Sequence, residues 1–209
     1  MSGDLVTAQR HPTAAALLER ALEVIEADGE HAVRVEEISS ACGVSITSLY
    51  HHFGSREGLI EAAQAERFVR VATANLIAFE VELATVSDGA DLQTLIGRWV
   101  TDLIETSMAS ARRARTEILA SAFTRPNLRD RVVESQRHYN EVLVGILEAA
   151  QLRGVVNRAV PALDLTYCIH GITFGRVISE VDPVVADQVE DTYRKFAADA
   201  LVALLSPSE

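Results

Sequence analysis

The sequence predicts an all-α protein. Nearly every segment repeats its apolar residues at helical spacing, and no run alternates apolar and polar residues as a half-buried strand would. Glycine and proline fall where helices stop and start, at Gly29, Pro126, Gly154, Pro161 and Pro183. Residues 35–57, VEEISSACGVSITSLYHHFGSRE, have the grammar of a helix-turn-helix. The expected layout is about nine helices in two parts, an N-terminal three-helix domain over residues 10–55 and a larger helical domain over 56–209.

The elements follow in order. Leu18, Leu22 and Ile25 share one face of a first helix, which stops at Asp28-Gly29. A short second helix turns Ile38 inward, Gly43 turns the chain, and Ser45 caps a third helix, SITSLYHHF, in which Leu49 and Phe53 face the core with Val44. Ser55 can cap the amides of Glu57 and Gly58, opening a long fourth helix to about Ala84. A fifth is expected from Asp91 to about Met108, with Leu95, Trp99 and Leu103 on one stripe. A short sixth is expected over Thr116–Phe123 and a seventh over Asn127–Leu152. An eighth is expected from Pro161 to about Ser179, and a ninth from Pro183 to Leu205.

Composition narrows the function. The chain has 209 residues, 48% of them hydrophobic, enough for a real core. No apolar run reaches the roughly 20 residues of a membrane span, and the N-terminus MSGDLVTAQRHPT lacks an apolar signal core, so a cytoplasmic protein is expected. Cys42 and Cys168 form no CxxC and read as free thiols. No Gly-rich phosphate loop, GxSxG elbow or HExxH is present, so an enzyme is not expected, nor any cofactor. Glu134 and His138 stand one helical turn apart, but without a second histidine nearby they read as a surface pair, and no metal is expected.

The helix-turn-helix points to double-stranded DNA. Ser45, Thr47 and Ser48 lie in the first turn of the third helix, where groove readers touch base edges, with Ile46 beside them. Tyr50 and His51 can bond phosphate oxygens, which sets register. Charge works against avid binding. The net charge is −11, and residues 1–60 hold four arginines, no lysine and nine acids. Affinity has to come from few phosphate contacts, helix N-termini and paired binding. No Arg or Lys stands on the third helix, so bidentate reading of guanine is closed to it and DNA shape gains weight. The alternative for these residues is a three-helix core that binds nothing, with Tyr50 a surface plug and His51 and His52 solvated.

Ile38, Gly43-Val44-Ser45, Leu49-Tyr50, His52-Phe53 and Ser55-Arg56-Glu57 with Leu59 resemble the DNA-binding domain of the TetR family of bacterial transcriptional regulators. Leu17-Leu18, Ala21-Leu22 and Gly29 fit that family's first helix. The resemblance covers about Thr13 to Ala63; beyond it, only length and helix layout speak. It implies a ligand-responsive regulator, most simply a repressor, that binds a palindromic operator as a homodimer and is released by a small-molecule effector. It also implies phosphate contacts from Tyr50 and Arg56. Two departures stand out: Ile46 follows Gly-Val-Ser where the family often has a basic or small residue, and Arg34 or Val33 stands where a Thr cap is common. Arg34 can compensate by pairing with a phosphate or can simply be solvated.

The resemblance places dimerisation in the last two long helices and a ligand pocket among the others. Gly171 and Gly175, four apart around Phe174, allow close helix approach. Val189, Tyr193, Phe196, Ala200 and Leu204 give the ninth helix an apolar face. Trp99, Met108, Phe123, Tyr139, Tyr167, His170 and Phe174 are the candidate pocket residues, each of which can equally be plain core. Arg112, Arg113 and Arg115 read either as a seat for an anionic ligand or, more simply, as a solvated turn. A competing class is a helical small-molecule binding protein whose DNA-binding head is weak or decayed; its motive is the acidic head and Ile46.

Overall fold

The fold is known from a computed structural model that describes residues 11–105 and 108–207, the side chains of 71–75 excepted. The N-terminal stretch through residue 10 lies outside the described residues, as do residues 106 and 107, which were expected to continue the fifth helix. Among the described residues the chain is helical without strands. The helices are α1 (Pro12–Asp28), α2 (Val35–Ala41), α3 (Ile46–Phe53), α4 (Arg56–Thr85), α5 (Gly89–Ile104), α6 (Ala109–Ala122), α7 (Pro126–Arg153), α8 (Ala162–Gly175) and α9 (Pro183–Leu205).

Local chemistry explains the ends. Pro12 opens α1, and Gly29 closes it at φ 83°, donating its N–H to the Ile25 carbonyl. The Asp88 carboxylate opens α5 by accepting from the Ala90 and Asp91 amides at 2.8 and 2.9 Å. Asp182 does the same for α9, with Pro183 at its first position.

Three boundaries differ from expectation. Helix α5 ends at Ile104, and α6 begins at Ala109, a full turn and more before Thr116. Helix α8 ends at Gly175, and a 3₁₀ turn over Arg176–Val181 follows. One residue accounts for much of this. Arg112, 8% exposed, pairs with Glu180, donates to the Glu105 carbonyl at 3.0 Å and also bonds the Leu103 carbonyl. The segment read as a solvated cationic turn is therefore a helix start held from inside. Only Arg113 of the three arginines is exposed.

The chain packs as two compact units. Of the described residues, the first holds those from 11 to 73 together with 117–136; the second holds those of 74–116 and those from 137 to 207. A cut at residue 55 does not follow this packing, because the first half of α4 completes the core under the helix-turn-helix. Leu59, Ile60 and Ala63 of α4 pack there with Leu17, Leu22, Val33, Ile38 and Leu49. A smaller cluster in the same unit joins Phe68 to Ile118, Ala122, Leu128 and Val132. The second unit has its own core, including Phe79, Leu92, Ile96, Val100, Leu143, Leu147, Leu165, Ile169, Ala197 and Leu201. Helices α4, α6 and α7 each begin in one unit and end in the other.

Candidate nucleic-acid interface

Two glycines and two serines shape the reading helix. Gly43 takes φ 66°, which an L side chain rarely adopts, and lets the Val44 amide reach back to the Ser39 carbonyl at 3.0 Å. Ser45 then caps α3 by accepting from the Ser48 amide at 3.1 Å. Gly54, at φ 75°, ends α3 with its N–H on the Tyr50 carbonyl. Ser55 starts α4 by accepting from Gly58 at 2.9 Å.

Leu49 is fully buried and anchors α3 to the core, with Val44 and Phe53 half-buried beside it. That orientation leaves Ser45, Ile46, Thr47, Tyr50 and His51 exposed, Ile46 at 38% and Tyr50 at 44%, while Ser48 is half-buried. His52 turns the other way and stacks on His11, centroids 5.4 Å apart. Arg34 is exposed, and its Nη1 donates to the His31 carbonyl at 2.6 Å.

Arg56 is anchored within the head. Its Nε donates to the Val33 carbonyl at 2.9 Å and its Nη2 to the Glu30 carbonyl at 2.8 Å. The 3₁₀ turn over Glu30–Ala32 aims these carbonyls at the start of α4. Arg56 therefore ties α4 to the segment before α2 through its Nε and Nη2.

Sequence reasoning missed Arg125, in the corner between α6 and α7. Its Nη1 bonds both Glu30 carboxylate oxygens, at 3.0 and 3.1 Å, and Ser121 Oγ at 3.2 Å, and its Nη2 bonds Glu57. Glu30 also accepts from Gln64 at 2.7 Å. Nothing local could have shown this, since Arg125 and Glu30 are 95 residues apart. Nearby, Arg70 forks onto Glu19 at 2.9 and 2.6 Å, which holds the Glu19 carboxyl below its usual range.

The second unit brings together part of the candidate pocket. His170 is buried, and its Nε2 meets Asn140 Oδ1 at 3.1 Å, while Asn140 Nδ2 donates to the Tyr167 hydroxyl at 3.2 Å. With the Asn140 oxygen turned to the imidazole, His170 carries its proton on Nε2. Tyr139, Tyr167 and Phe174 surround that ring at centroid distances of 5.5, 6.2 and 6.5 Å. The Arg115 guanidinium lies 4.7 Å from the Phe174 centroid and 6.0 Å from that of Tyr139. Burial, and then the Arg115 charge, push His170 down to about 4, so its imidazole is neutral. Trp99 instead stacks on Phe79 at 4.5 Å, Met108 is half-buried at the head of α6, and Phe123 is a correction. Phe123 is 85% exposed and belongs to the first unit, so it lines nothing in the second.

On α8 and α9, Gly171 is exposed, whereas Gly175 faces inward: a Cβ there would stand 2.5 Å from the Tyr193 hydroxyl. Tyr193 in turn donates to the Ile172 carbonyl at 2.6 Å. Gly175 and Tyr193 thus fit each other within one chain. Val189, Ala200 and Leu204 are half-buried, and Phe196 is 57% exposed; Leu163 (51%) and Tyr167 (55%) of α8 and Val184 (65%) of α9 are exposed too. No group of three or more His, Cys, Asp or Glu able to hold a metal ion occurs among the described residues. Among them also, no helix is long and apolar enough to cross a membrane.

A capped helix whose buried leucine turns small hydroxyls, a tyrosine and a histidine outward, set in a three-helix head, defines a helix-turn-helix DNA-binding regulator. Comparison with known proteins agrees. Residues 17–63 match the model of bacterial regulatory proteins of the tetR family, and residues 87–206 match that of the tetracyclin repressor-like C-terminal domain. The chain belongs to the TetR family, and it is a DNA-binding transcriptional regulator.

Among curated relatives, UidR of Escherichia coli K12 is 36% identical over 59 residues, 28% of this chain and only 30% of UidR. Three solved structures share the fold across nearly their whole length. A Mesorhizobium loti protein assigned to the TetR family is 17% identical with TM-score 0.67, covering 93% of this chain and 96% of its own. Salmonella enterica GusR is 20% identical with TM-score 0.61, covering 95% and 99%. A candidate regulator from Saccharomonospora viridis, solved with choline, is 20% identical with TM-score 0.60, covering 92% and 97%.

Proposed function

We propose that the protein is a ligand-responsive repressor of the cytoplasm that binds a palindromic operator as a homodimer and leaves it when a small molecule binds the second unit. The observation that carries this is the outward presentation of Ser45, Thr47, Tyr50 and His51 on a helix whose opposite side is locked by Leu49. Thr47 and Ser45, with Ser48 at the edge, read bases; the Ile46 and Thr47 methyl groups pack on thymine methyls; Tyr50, His51 and Arg34 fix phosphates. Two protomers place two such helices in successive major grooves roughly 34–36 Å apart. The half-buried and exposed apolar residues of α8 and α9, among them Gly171, Val189, Phe196, Ala200 and Leu204, supply the dimer face. A structural neighbour solved in complex with choline supports small-molecule binding by this chain. Helix α4, which continues from the head into that unit, transmits the change, at a coupling of about 1–3 kcal/mol.

Anisotropy titration on the promoter beside its own gene tests this. Tyr50→Ala and Thr47→Ala are expected to weaken binding by roughly 1–3 kcal/mol each. Equal binding by wild type and both variants, or none to any palindrome there, removes the reading. A second reading, a small-molecule binding protein with a weak head, is favoured by exposed Ile46 and the acidic charge. It predicts ligand affinity without the steep salt dependence of operator binding.

A further inference from the structure

A second binding site lies in the first unit: we propose that Glu61 and the cavity it lines hold a small organic cation with N–H donors, a primary ammonium on a short apolar body. The site stands apart from the small-molecule seat proposed for the second unit and holds or falls independently of it.

Glu61 is only 6% exposed, yet among the described residues no hydrogen bond or ion pair reaches its carboxylate. Arg125 and Arg131 act on it through their charge from beyond ion-pair distance, and burial outweighs them, holding the carboxyl above its usual range. A buried carboxylate without a partner costs stability, and a bound ammonium supplies the missing counter-charge. Glu61 lines a cavity of about 450 Å³ where the end of α3 and the start of α4 meet the start of α7. That volume suits a small molecule. The other charged groups make the walls negative: Glu57, Asp130 and Glu134 line the cavity with a single arginine, Arg131. Glu57 is bonded by Arg125, and Asp130 stands 3.7 Å from Arg129, which leaves Glu61 and Glu134 against Arg131, one negative charge in excess. An anion is repelled there and a monocation is drawn in. Ser55 and Asn127 add neutral acceptors, and half-buried Phe53 offers apolar surface for the body of the ligand. A metal ion fits less well, since no group of three or more His, Cys, Asp or Glu able to hold one occurs among the described residues. A primary ammonium needs fewer partners, because it donates three hydrogen bonds and the one to Glu61 is charge-assisted.

The test uses the purified full chain and n-butylammonium, with n-butyltrimethylammonium, 1-butanol and Mg²⁺ for comparison. Binding is read by calorimetry and by the rise in melting temperature that a ligand of the folded state produces. Butylammonium is expected to bind at least about tenfold tighter than the quaternary ion, which has no N–H to donate, and than the uncharged alcohol. Glu61→Gln is expected to lower that affinity at least about tenfold while melting at or above wild type, because a neutral amide replaces an uncompensated buried charge. Glu61→Asp, which keeps the charge on a shorter stem, is expected to fall between; this second variant serves if the first does not fold. Glu148→Gln, an exposed acid on the part of α7 in the second unit, is the control for general charge loss and should bind like wild type. Arg131 is the internal rival for Glu61, so Arg131→Ala should tighten butylammonium binding roughly two- to fivefold. Binding of the quaternary ion or the alcohol as tight as butylammonium, equal affinity in Glu61→Gln, or an equal loss in Glu148→Gln overturns the proposal. So does displacement of butylammonium by an equal concentration of Mg²⁺, or no butylammonium binding below about 100 mM. Arg131→Ala that loses stability without gaining affinity shows Arg131 itself filling the place, and that also overturns it.

Discussion

Gly175 offers a sharp test of how α8 and α9 fit together. A methyl group at residue 175 would stand 2.5 Å from the Tyr193 hydroxyl, while the next nearest atom, Tyr193 Cζ, is at an ordinary 3.7 Å. The conflict is therefore with one oxygen. That oxygen donates to the Ile172 carbonyl at 2.6 Å, so it cannot move without breaking the bond. Losing the bond costs about 1 kcal/mol, and crowding a packed side chain adds about 1–3 kcal/mol. The better helix propensity of alanine returns about 0.5–1 kcal/mol. Gly175→Ala should thus destabilise by about 1–3 kcal/mol. Tyr193→Phe alone should cost about 1 kcal/mol. In the double variant the clash has no partner, so it should be about as stable as Tyr193→Phe or slightly more so. Urea denaturation of the four proteins gives the cycle. Additive losses would show that the hydroxyl is not what Gly175 accommodates, and the packing described for α8 and α9 would be wrong. Gly171→Ala is the control, because nothing lies within 4 Å of a Cβ there. Within a protomer it should be neutral or stabilising by up to about 1 kcal/mol. If α8 forms the dimer face, the same change raises the dimer dissociation constant in sedimentation.

Arg125→Ala removes bonds to Glu30, Glu57 and Ser121 and should cost about 1–2 kcal/mol by urea denaturation, the partly exposed pairs counting for little each; an unchanged midpoint would discount the clamp. His170 sits near 4 when folded against an ordinary 6.5, so the unfolded chain binds more protons between those values. Its contribution, about 3 kcal/mol at most, is full above pH 6.5 and is lost as pH falls toward 4. His170→Gln should flatten that part of the stability profile, and a profile identical to wild type would contradict the buried neutral imidazole. Glu61, raised by burial, works in the opposite sense, contributing below its ordinary range and losing that contribution as pH rises through its folded value, so only the comparison of the two proteins isolates His170. Leu49→Ala should cost about 2–5 kcal/mol in chemical denaturation and abolish operator binding, since it unseats the helix that carries Thr47 and Tyr50.

Much of the fold was legible because its signals are local. Helical spacing in α1, the glycines at 29, 43 and 54, and the hydroxyls of Ser45 and Ser55 act within one or two turns, and each is found doing what its position implies. The outward set on α3 follows from the same logic, since burying Leu49 dictates which neighbours face out. Arg112 was misread because a charged side chain beside a turn looks solvated until the groups that meet it are known, and those are the Leu103 and Glu105 carbonyls and the Glu180 carboxylate. Arg56, expected at a phosphate, is met by the Glu30 and Val33 carbonyls, which only the fold brings to it.

What the sequence alone determined is where each helix of the head begins and ends and which side of α3 turns outward, because capping and periodicity operate between near neighbours. The tertiary structure alone decided that Arg125 ties Glu30 to Glu57, that Gly175 makes room for Tyr193, that Phe123 lies on the surface, and that Arg115 shares an aromatic enclosure with His170. Those pairings join residues tens of positions apart, and only the packing of whole helices brings their charges and rings within reach of one another.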